Sequence, residues 1–509
     1  MVTTPHAAAT EAGARILRCG GNAIEAAIAA GAVLAVVYPH FCGLGGDGLW
    51  LVSDETGKTE CIMGIGQATA HAAMLPDRLP LRGPLSAAGS AGLVRSWDTA
   101  LALSRAHWDG TFRLAHLLDP AIEHASEGIT PSPSLMHWLR FRQAEWPDWS
   151  GFAANFGIGA QGAAGTPFRQ PALAESLRAI ACDGPEEFYE GALARRIAAG
   201  LAGAGAPLDA ADLAATIAPR DAPVGLDVAG MRLLAPPPPT QGVTTLAIMG
   251  ILERLGIAGI NPDDPQFYHL VAEAIKQAFL DRPHILTTPA PDLLAPQRLD
   301  AMAARIRQDD ALEWPHPFQS GDTVFLAAVD ARGRAVSLLQ SIYFDWGSGI
   351  VAGDTGILWQ NRAAAFNGLP GHPQRIQPGA WPFFTLNPGL ALSGGRPALL
   401  YGTQGTDGQP QTLATVLSRA IMHGMSPAAA LAGPRLLLGR GFADDADTLK
   451  IESSAGEATM AGLRTRGHQL SPIAPLNPLC GQAGLIAIDT TRLRGAHDPR
   501  SDGCAIGLE

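Results

Sequence analysis

The sequence lacks the features that are typical of proteins that bind nucleic acid, cross a membrane or hold a catalytic metal ion. Charged residues make up only 16% of the chain and the formal net charge is −11, which argues against nucleic acid as a partner. The most apolar early stretch, 26–37, is too short to span a bilayer, so no membrane partner is expected. The 14 histidines show no HExxH or comparable ligand spacing, and neither a metal nor another cofactor is predicted.

Cysteine is also scarce, and its distribution argues against a disulfide framework. The six cysteines are scattered without a CxxC pair, which favours structural thiols in a reducing compartment. The first residues contain no basic segment that leads into an apolar one, so a secretory signal is not expected. Both observations predict a cytoplasmic location. The cysteines are Cys19, Cys42, Cys61, Cys182, Cys480 and Cys504.

Apolar residues and turn formers are abundant. Hydrophobic residues make up 47% of the chain, and its 59 glycines and 40 prolines follow no fixed period, which indicates a large core with many tight turns. The pattern over 110–261 is mostly helical. Two apolar runs, Val324–Val329 and Ala335–Ser341, predict a β-hairpin, and the polar, proline-containing segment 287–320 predicts an exposed loop. The succession of helices and strands is typical of a layered α+β fold.

A series of short motifs occurs in a fixed order along most of the chain. They are His6–Gly13, Gly20–Ala27, Pro39–Gly46, Gly184–Tyr189, Pro237–Gly242, Glu273–Lys276, Thr355–Leu358, Gly402–Gly405 and Asp498–Ser501. The series resembles the γ-glutamyltranspeptidase family of N-terminal-nucleophile hydrolases nearly from end to end. The resemblance implies a four-layer αββα sandwich that is assembled as one globular unit from the two fragments of a self-processed precursor.

By this resemblance, Thr323 is the nucleophile, and the peptide bond between Asp322 and Thr323, in the stretch Gly321-Asp322-Thr323, is the cleavage site. A cut before Thr323 would free an α-amine with a pKa of about 7.7–8.0, which suits a base for its own hydroxyl. The chain would then be a proenzyme, or zymogen, that cuts itself into 1–322 and 323–509. These fragments would form a heterodimer, and whether such heterodimers pair further is open. An ordinary threonine at the start of a strand is the alternative interpretation.

Two further positions match catalytic parts of the family. Ser341 falls where the family has a hydroxyl residue beside the nucleophile, and a serine simply hydrogen-bonded within a strand is the alternative. The segment 402–408 falls where the family has its paired-glycine oxyanion turn, so Gly405 and Thr406 are expected to present backbone N–H groups. Thr406 replaces the second glycine, but its N–H is retained. A phosphate-binding loop is the rival interpretation, and it lacks the Lys-Ser/Thr ending.

The family's clamp for an amino acid head group is altered in this sequence. Two alanines precede Phe366 where the family has two aspartates, and Arg362 has appeared next to Asn361. The early segment 65–69 lacks the arginine that binds the α-carboxylate in the family. A pocket without a carboxylate binds an ammonium group weakly, since an unpaired buried charge costs on the order of several kcal/mol. Arginine instead favours a planar carboxylate, so we expect Asn361 and Arg362 to contact the substrate.

Two bulky residues also fall in the expected pocket. Tyr343 stands where the family has an asparagine, and Trp381 stands in the family's serine pair. Both would narrow the site. The predicted substrate is a compact acid amide without an α-amine, and the chain resembles the oxamate amidohydrolase branch of the family. The alternative for Arg362 is a side chain that faces solvent.

The predicted function is hydrolysis of a small, oxamate-like acid amide through a threonyl acyl-enzyme. A γ-glutamyltransferase or glutathione hydrolase with a rebuilt clamp, or an acylase of β-lactam side chains, is the second hypothesis. A non-catalytic member of the family is the third. His269, Glu273 and Lys276 share one face of a helix, and we interpret them as a structural polar network rather than a site.

Overall fold

Helices and strands alternate along the chain. The computed structural model describes residues 1–161, 167–314, 322–367, 369, 371–441, 444–489 and 492–508. The strands are β1 (Val2–Thr4), β2 (Asp47–Ser53), β3 (Thr59–Gly64), β4 (Arg220–Asp221), β5 (Val224–Val228), β6 (Met231–Ala235), β7 (Val324–Val329), β8 (Ala335–Ser341), β9 (Gly389–Ser393), β10 (Arg396–Thr403), β11 (Leu436–Gly441), β12 (Asp444–Glu452), β13 (Leu470–Ile473), β14 (Ala483–Ile488), β15 (Leu493–His497) and β16 (Cys504–Ile506). The helices are α1 (Ala7–Arg18), α2 (Ala23–Val37), α3 (Leu93–His107), α4 (Leu114–Glu127), α5 (Pro133–Phe141), α6 (Phe152–Gln161), α7 (Pro171–Asp183), α8 (Glu186–Tyr189), α9 (Ala192–Gly203), α10 (Ala210–Ala214), α11 (Gly242–Arg254), α12 (Pro265–Asp281), α13 (Ala290–Leu293), α14 (Pro296–Ala304), α15 (Gln409–Leu417), α16 (Pro427–Ala432) and α17 (Glu457–Thr465).

Two large sheets are stacked face to face. The seven-stranded sheet has the order β16-β1-β7-β8-β2-β3-β4, the six-stranded sheet has the order β15-β14-β10-β9-β6-β5, and β11-β12-β13 form a small third sheet. The core between the large sheets contains Phe325 and Leu339 from the first and Leu390 and Leu400 from the second. Helices α2 and α3 pack on the outer face of the first sheet, and α11 and α15 pack on that of the second. The fold is therefore the predicted αββα sandwich.

Strand β7 is apolar on both faces because it lies in the middle of this sandwich. Val324 and Leu326 join the core beneath the outer helices, whereas Phe325 and Ala327 join the core between the sheets. The alternation follows from the two-residue period of a strand. Thr323, directly before β7, is buried in the same layer.

Each large sheet contains strands from both sides of Thr323. In the first sheet β7 pairs with β1 on one edge and with β8 on the other, and β8 also pairs with β2. In the second sheet β9 pairs with β6. The main-chain hydrogen bonds of both sheets thus join the segments before and after the predicted cleavage site.

The apolar stretch 26–37 lies in α2, whose residues are all buried. Its first turn carries a capping box, in which the Asn22 side chain accepts from the N–H of Glu25 while the Glu25 carboxylate accepts from the N–H of Asn22. The helix is thus a core element. Among the residues that the structure describes, no helix is both long and apolar enough to cross a bilayer.

One local prediction was wrong. The segment 287–320 contains α13 and α14, which are too short to give a clear helical period, and its residues 315–320 lie outside the described part of the chain. The region 110–261 is mostly helical, as predicted, and it also contains the short strands β4, β5 and β6, whose β5 side chains are mostly half-buried and so lack an apolar run. The cysteine prediction agrees with the structure, since all six carry free thiols.

Candidate active site

The hydroxyl groups of Thr323 and Ser341 meet at one backbone carbonyl. Thr323 Oγ1 lies 2.6 Å from the carbonyl oxygen of Asp322, and Ser341 Oγ lies 3.1 Å from the same oxygen. The two hydroxyl oxygens are 3.2 Å apart. The antiparallel pairing of β7 with β8 causes this approach, because Val324 is opposite Gln340 and the next pair outward is Thr323 and Ser341.

Tyr343 fixes the direction of the Ser341 hydroxyl. Its backbone N–H donates to Ser341 Oγ at 2.8 Å, which directs the hydroxyl proton towards the Asp322 carbonyl. Tyr343 has a φ of 84°, an uncommon value for a residue that is not glycine. The turn after β8 is therefore a strained segment whose N–H group orients a hydroxyl at the predicted cleavage site.

The side chain of Asp322 is buried and forms no ion pair with the residues that the structure describes. The nearby Asp345 carboxylate is held by Arg142 through two hydrogen bonds of 2.8 and 2.9 Å, and by Arg82 at 3.1 Å. Burial, and next the negative charge of Asp345, raise the pKa of Asp322 well above its ordinary value. The Asp322 carboxyl therefore keeps its proton to a higher pH than an ordinary aspartate does. Gly321, the first residue of the stretch Gly321-Asp322-Thr323, lies outside the described ranges.

The predicted oxyanion turn lies between β10 and α15. Gly405 has a φ of 126°, which glycine adopts readily, and Thr406 has a φ of 39°. Gln241 Nε2 donates to the Thr406 carbonyl at 2.6 Å, which holds the turn from the side of that carbonyl. Gly402, at the end of β10, packs so closely on Phe325 of β7 that a β-carbon would clash with its ring. This contact positions the turn beside the strand that follows Thr323.

A cavity of about 520 Å³ opens beside this turn. Its wall includes Tyr343 and the two alanines that replace the family's aspartates, Ala364 and Ala365. Asp407 is the one carboxylate in the described lining, and it forms an ion pair with Arg282. The cavity therefore offers no unpaired carboxylate from its described lining for a substrate ammonium group.

Arg362 is buried behind this wall, so the solvent-facing alternative is wrong. Its guanidinium carbon lies 4.2 Å from the ring centre of Tyr343 and 4.3 Å from that of Phe384. Nη1 donates to Thr385 Oγ1 at 3.0 Å, and Tyr343 and Thr385 both line the cavity. Among the described residues, Nε and Nη2 have no hydrogen-bond partner. Burial lowers the pKa of Arg362, and the nearby carboxylate of Asp47 opposes this effect.

Asp47, the first residue of β2, was missed in the sequence analysis. Its Oδ2 lies 3.7 Å from Nε of Arg362, and its Oδ1 accepts from the N–H groups of Gly66 at 2.8 Å and Gly92 at 3.1 Å. Burial raises the pKa of Asp47 to about 6, although the Arg362 charge and these hydrogen bonds oppose the rise. The available signal was an acidic residue two positions before the apolar run Leu49–Val52.

The chain is similar to known proteins over nearly its whole length. The family model described as Gamma-glutamyltranspeptidase matches residues 9–508. The chain belongs to the γ-glutamyltranspeptidase family. It is 41% identical over 520 residues to the oxamate amidohydrolase proenzyme of Klebsiella pneumoniae, with 100% of this chain and 98% of that relative covered. It is 37% identical over 522 residues to a glutathione hydrolase-like proenzyme of Bacillus subtilis, with 100% and 98% covered.

A solved structure extends the similarity to three dimensions. The cephalosporin acylase from Bacillus halodurans matches with a TM-score of 0.89 at 30% identity, with 100% of this chain and 95% of that chain covered. The chain is thus an N-terminal-nucleophile hydrolase of the γ-glutamyltranspeptidase family, with the fold of its relatives.

Two predicted substrate-binding residues of this family member have other contacts. Asn361 Oδ1 accepts from the N–H of Phe344 at 3.1 Å, and Asn361 Nδ2 donates to the Leu81 carbonyl at 2.7 Å. Both polar groups of the Asn361 side chain are thus hydrogen-bonded to backbone atoms. Trp381 packs against the core between the sheets and is not among the residues that line the cavity. The Trp381 ring thus packs on apolar side chains between the layers, and its contact with substrate stays a prediction.

The polar network on α12 brings together groups that could hold a metal ion. Ligand atoms of His269, Glu273 and His468 lie within 4.8 Å of one another. The ammonium of Lys276, however, contacts Glu273 Oε1 at 2.7 Å, and His269 Nδ1 lies 2.8 Å from His468 Nε2. A dication here would face a buried ammonium at close range, which is unfavourable. We therefore retain the interpretation of a structural network in this hydrolase.

Proposed function

We propose that this chain is a self-processing amidohydrolase in which Thr323 is the nucleophile. The observation that carries the proposal is the meeting of the Thr323 and Ser341 hydroxyls at the Asp322 carbonyl, 2.6 and 3.1 Å away. Attack of Thr323 Oγ1 on that carbonyl would convert the peptide bond to an ester, which water then opens. The products would be 1–322 and 323–509, which remain one globular heterodimer.

The free α-amine of Thr323 then acts as a base in substrate turnover. It would accept the proton of Oγ1 as this atom attacks the substrate amide, and the amine product would leave with a proton. The acyl group would remain on Thr323 until water hydrolyses it. We assign Ser341 and the N–H groups of Gly405 and Thr406 to stabilisation of the oxyanion.

Three features support a small acid amide as the substrate. Arg362 has two buried donors, Nε and Nη2, that make no hydrogen bond to a described residue, and a guanidinium binds a carboxylate through parallel hydrogen bonds. Ala364 and Ala365 remove the acids that would hold an ammonium. The Klebsiella pneumoniae relative is named an oxamate amidohydrolase. We assign carboxylate binding to Arg362. Because the Tyr343 ring lies against its guanidinium at the cavity wall, this role requires the ring to move aside when substrate binds. A cytoplasmic location stays a prediction.

The size of the cavity supports one second candidate. A volume of about 520 Å³ exceeds what a compact acid amide fills, and cavities of this size suit larger ligands. A side-chain acylase that hydrolyses a longer acyl amide would use the same Thr323 chemistry. Release of amine from such amides at a higher kcat/KM than from oxamate would favour this candidate.

The first test is the intact mass of the purified protein after incubation, with N-terminal sequencing of the fragments. We expect a new N-terminus at Thr323. Thr323→Ala should stay uncut and inactive, and Thr323→Ser, which keeps a hydroxyl, should be cut. The cut enzyme should release ammonia from oxamate and leave a γ-glutamyl anilide intact. A stable, uncut wild-type chain would contradict the proposal and favour a non-catalytic family member.

A further inference from the structure

The guanidinium of Arg362 is covered in the uncut chain that the structure describes. Its carbon lies 4.2 Å from the centre of the Tyr343 ring, which lines the cavity, whereas Arg362 itself is 1% exposed and is not among the described lining residues. Thr385, which accepts from Nη1, also lines the cavity, so the guanidinium is one side chain away from that space. A substrate carboxylate in the cavity can reach Nε and Nη2 only after the Tyr343 ring has moved.

The backbone of Tyr343 is held in an uncommon conformation. Its φ is 84°, and a residue with a β-carbon keeps such a value only when the surrounding contacts impose it. Its N–H donates to Ser341 Oγ at 2.8 Å, and its carbonyl accepts from the N–H of Asp322 at 3.2 Å. One of these two hydrogen bonds therefore comes from the residue directly before the predicted scissile bond.

Asp322 occupies the position that a substrate needs. Its carbonyl oxygen lies 2.6 Å from Thr323 Oγ1 and 3.1 Å from Ser341 Oγ. The carbonyl of a substrate amide must approach the same two hydroxyl groups, so it and the Asp322 carbonyl cannot both be bound there. The hydrogen bond from Asp322 to Tyr343 is thus present before the cut, and it is lost in any molecule that holds a substrate in position for attack.

Loss of this hydrogen bond removes one of the contacts that impose the conformation of Tyr343. The turn can then relax towards the negative φ values that residues other than glycine prefer. A change of φ redirects the bond from Cα to Cβ and therefore moves the ring. The contact between the ring and the guanidinium of Arg362 is then replaced by charge-assisted hydrogen bonds to a substrate carboxylate, which are the stronger interaction.

We propose that Tyr343 is an autoinhibitory residue, which blocks the carboxylate site at Arg362 until the chain has cut itself. In the precursor, the hydrogen bond from Asp322 holds the Tyr343 backbone so that the ring covers the guanidinium. After the cut, Asp322 withdraws, the turn relaxes, and the ring uncovers Nε and Nη2 for the substrate. The inference rests on the proposed self-cleavage and on the proposed role of Arg362, and it adds the step that connects them.

The test measures the accessibility of the Arg362 guanidinium before and after cleavage. Cut wild type and uncut Thr323→Ala are treated with phenylglyoxal, which modifies arginine, and each arginine is followed by peptide mass mapping. Arg362 should react faster in the cut wild type by about 10-fold or more, because the rate follows the fraction of molecules in the open state. Oxalate, a dicarboxylate without an amide, should protect it there. Arg435, which is buried, should not react in either chain, and Arg232, which is exposed, should react in both.

A second pair of variants separates the effect of the Tyr343 ring from that of Asp322. Thr323→Ala with Tyr343→Gly stays uncut and retains Asp322, but glycine has no ring and adopts a φ of 84° readily. Arg362 should react in this uncut chain as fast as in the cut wild type. Thr323→Ala with Tyr343→Phe keeps the ring and should stay as protected as Thr323→Ala alone. Continued protection in the glycine variant would overturn the proposal, because another group would then cover Arg362.

The outcomes also separate this proposal from the proposed function. A wild type that stays uncut contradicts self-cleavage and the proposal together. If the wild type is cut but Arg362 reacts equally fast in cut and uncut chains, the autoinhibitory role is overturned and self-cleavage stands. If Arg362 reacts only after the cut but oxalate gives no protection, the carboxylate assignment fails and the covering of Arg362 by Tyr343 stands. Should Arg435 react in the glycine variant, that variant is unfolded and the comparison of cut and uncut chains decides.

Discussion

The backbone N–H of Asp322 donates a hydrogen bond to the carbonyl of Tyr343, with 3.2 Å between nitrogen and oxygen. Tyr343 has the strained backbone of the turn after β8, and its ring stacks on the guanidinium of Arg362 at 4.2 Å. Tyr343 therefore links the predicted cleavage site to the wall of the cavity and to the guanidinium of Arg362 behind that wall. Cleavage and formation of the substrate pocket share Tyr343 as a common part.

The first prediction concerns the hydroxyl of Ser341. Ser341→Ala removes a donor to the Asp322 carbonyl, and we expect self-cleavage to slow by about 100-fold, as for the loss of one oxyanion donor. Ser337→Ala, on the same strand, is the control, because its hydroxyl donates to Tyr401 at 3.3 Å, away from the bond. Precursor and fragments are quantified by mass spectrometry over time. Equal rates for Ser341→Ala and Ser337→Ala would remove the assigned role.

The second prediction concerns Arg362 and the carboxylate of the substrate. Arg362→Ala should raise KM for oxamate by about 10- to 100-fold, the range for hydrogen bonds to a charged group, with a smaller change in kcat. Arg362→Lys should recover only part of the affinity, because an ammonium lacks the planar fork. Steady-state ammonia release gives both constants. An unchanged KM in the alanine variant would show that the guanidinium does not bind substrate.

The third prediction concerns the pH dependence of stability through Asp47. The pKa of Asp47 is raised from 3.8 to about 6 in the folded chain, so the folded state binds more protons than the unfolded state between these values. The contribution of Asp47 to the free energy of unfolding should therefore be fully present below about pH 4. It should fall by roughly 3 kcal/mol as pH rises to 6. Asp47→Asn should remove this part of the slope.

The measurement is the thermal unfolding midpoint of Asp47→Asn against its parent from pH 4 to 7. Both carry Thr323→Ala, which keeps the chain uncut and prevents cleavage from changing the unfolding reaction. Asp77→Asn, an exposed acid, is the control and should follow the parent at each pH. A difference between Asp47→Asn and its parent that does not change with pH would contradict the raised pKa.

The fourth prediction concerns the missing acid of the head-group clamp. Ala365→Asp places a carboxylate in the cavity, so we expect the ratio of kcat/KM for a γ-glutamyl anilide to that for oxamate to rise by about 10-fold or more. Ala365→Asn has the same size without the charge and should leave the ratio near the wild-type value. The ratio is measured by parallel assays of aniline release from the γ-glutamyl anilide and of ammonia release from oxamate. A similar gain in both variants would point to shape rather than charge.

The sequence predicted the parts of the site that depend on local pairing. The β-hairpin of β7 and β8 could be predicted from two apolar runs, and it alone brings Ser341 to Thr323. The order of the family motifs predicted the αββα architecture. The short helices α13 and α14 could not be predicted, because a few residues give no clear period.

Contacts between distant segments could not be predicted. Asp47 and Arg362 meet because the segment before Arg362 runs beside the start of β2, where the N–H of Gln360 donates to the Gly45 carbonyl, and nothing in either segment specifies that contact. The two arginines on Asp345 likewise come from separate segments. The family resemblance predicts Trp381 in the pocket, but its packing depends on apolar side chains from distant segments between the two sheets. The catalytic and substrate-binding roles themselves stay predictions.

The alternation of strands from the two sides of Thr323 has a consequence for the cut protein. β7 lies between β1 and β8, so release of either product would expose several strand edges and the apolar cores at once. Dissociation of the heterodimer and its unfolding would then be a single event with a single barrier. Exchange of isotopically labelled fragments between two cut molecules should therefore be no faster than global unfolding, and a nicked molecule would keep its original partner for its lifetime.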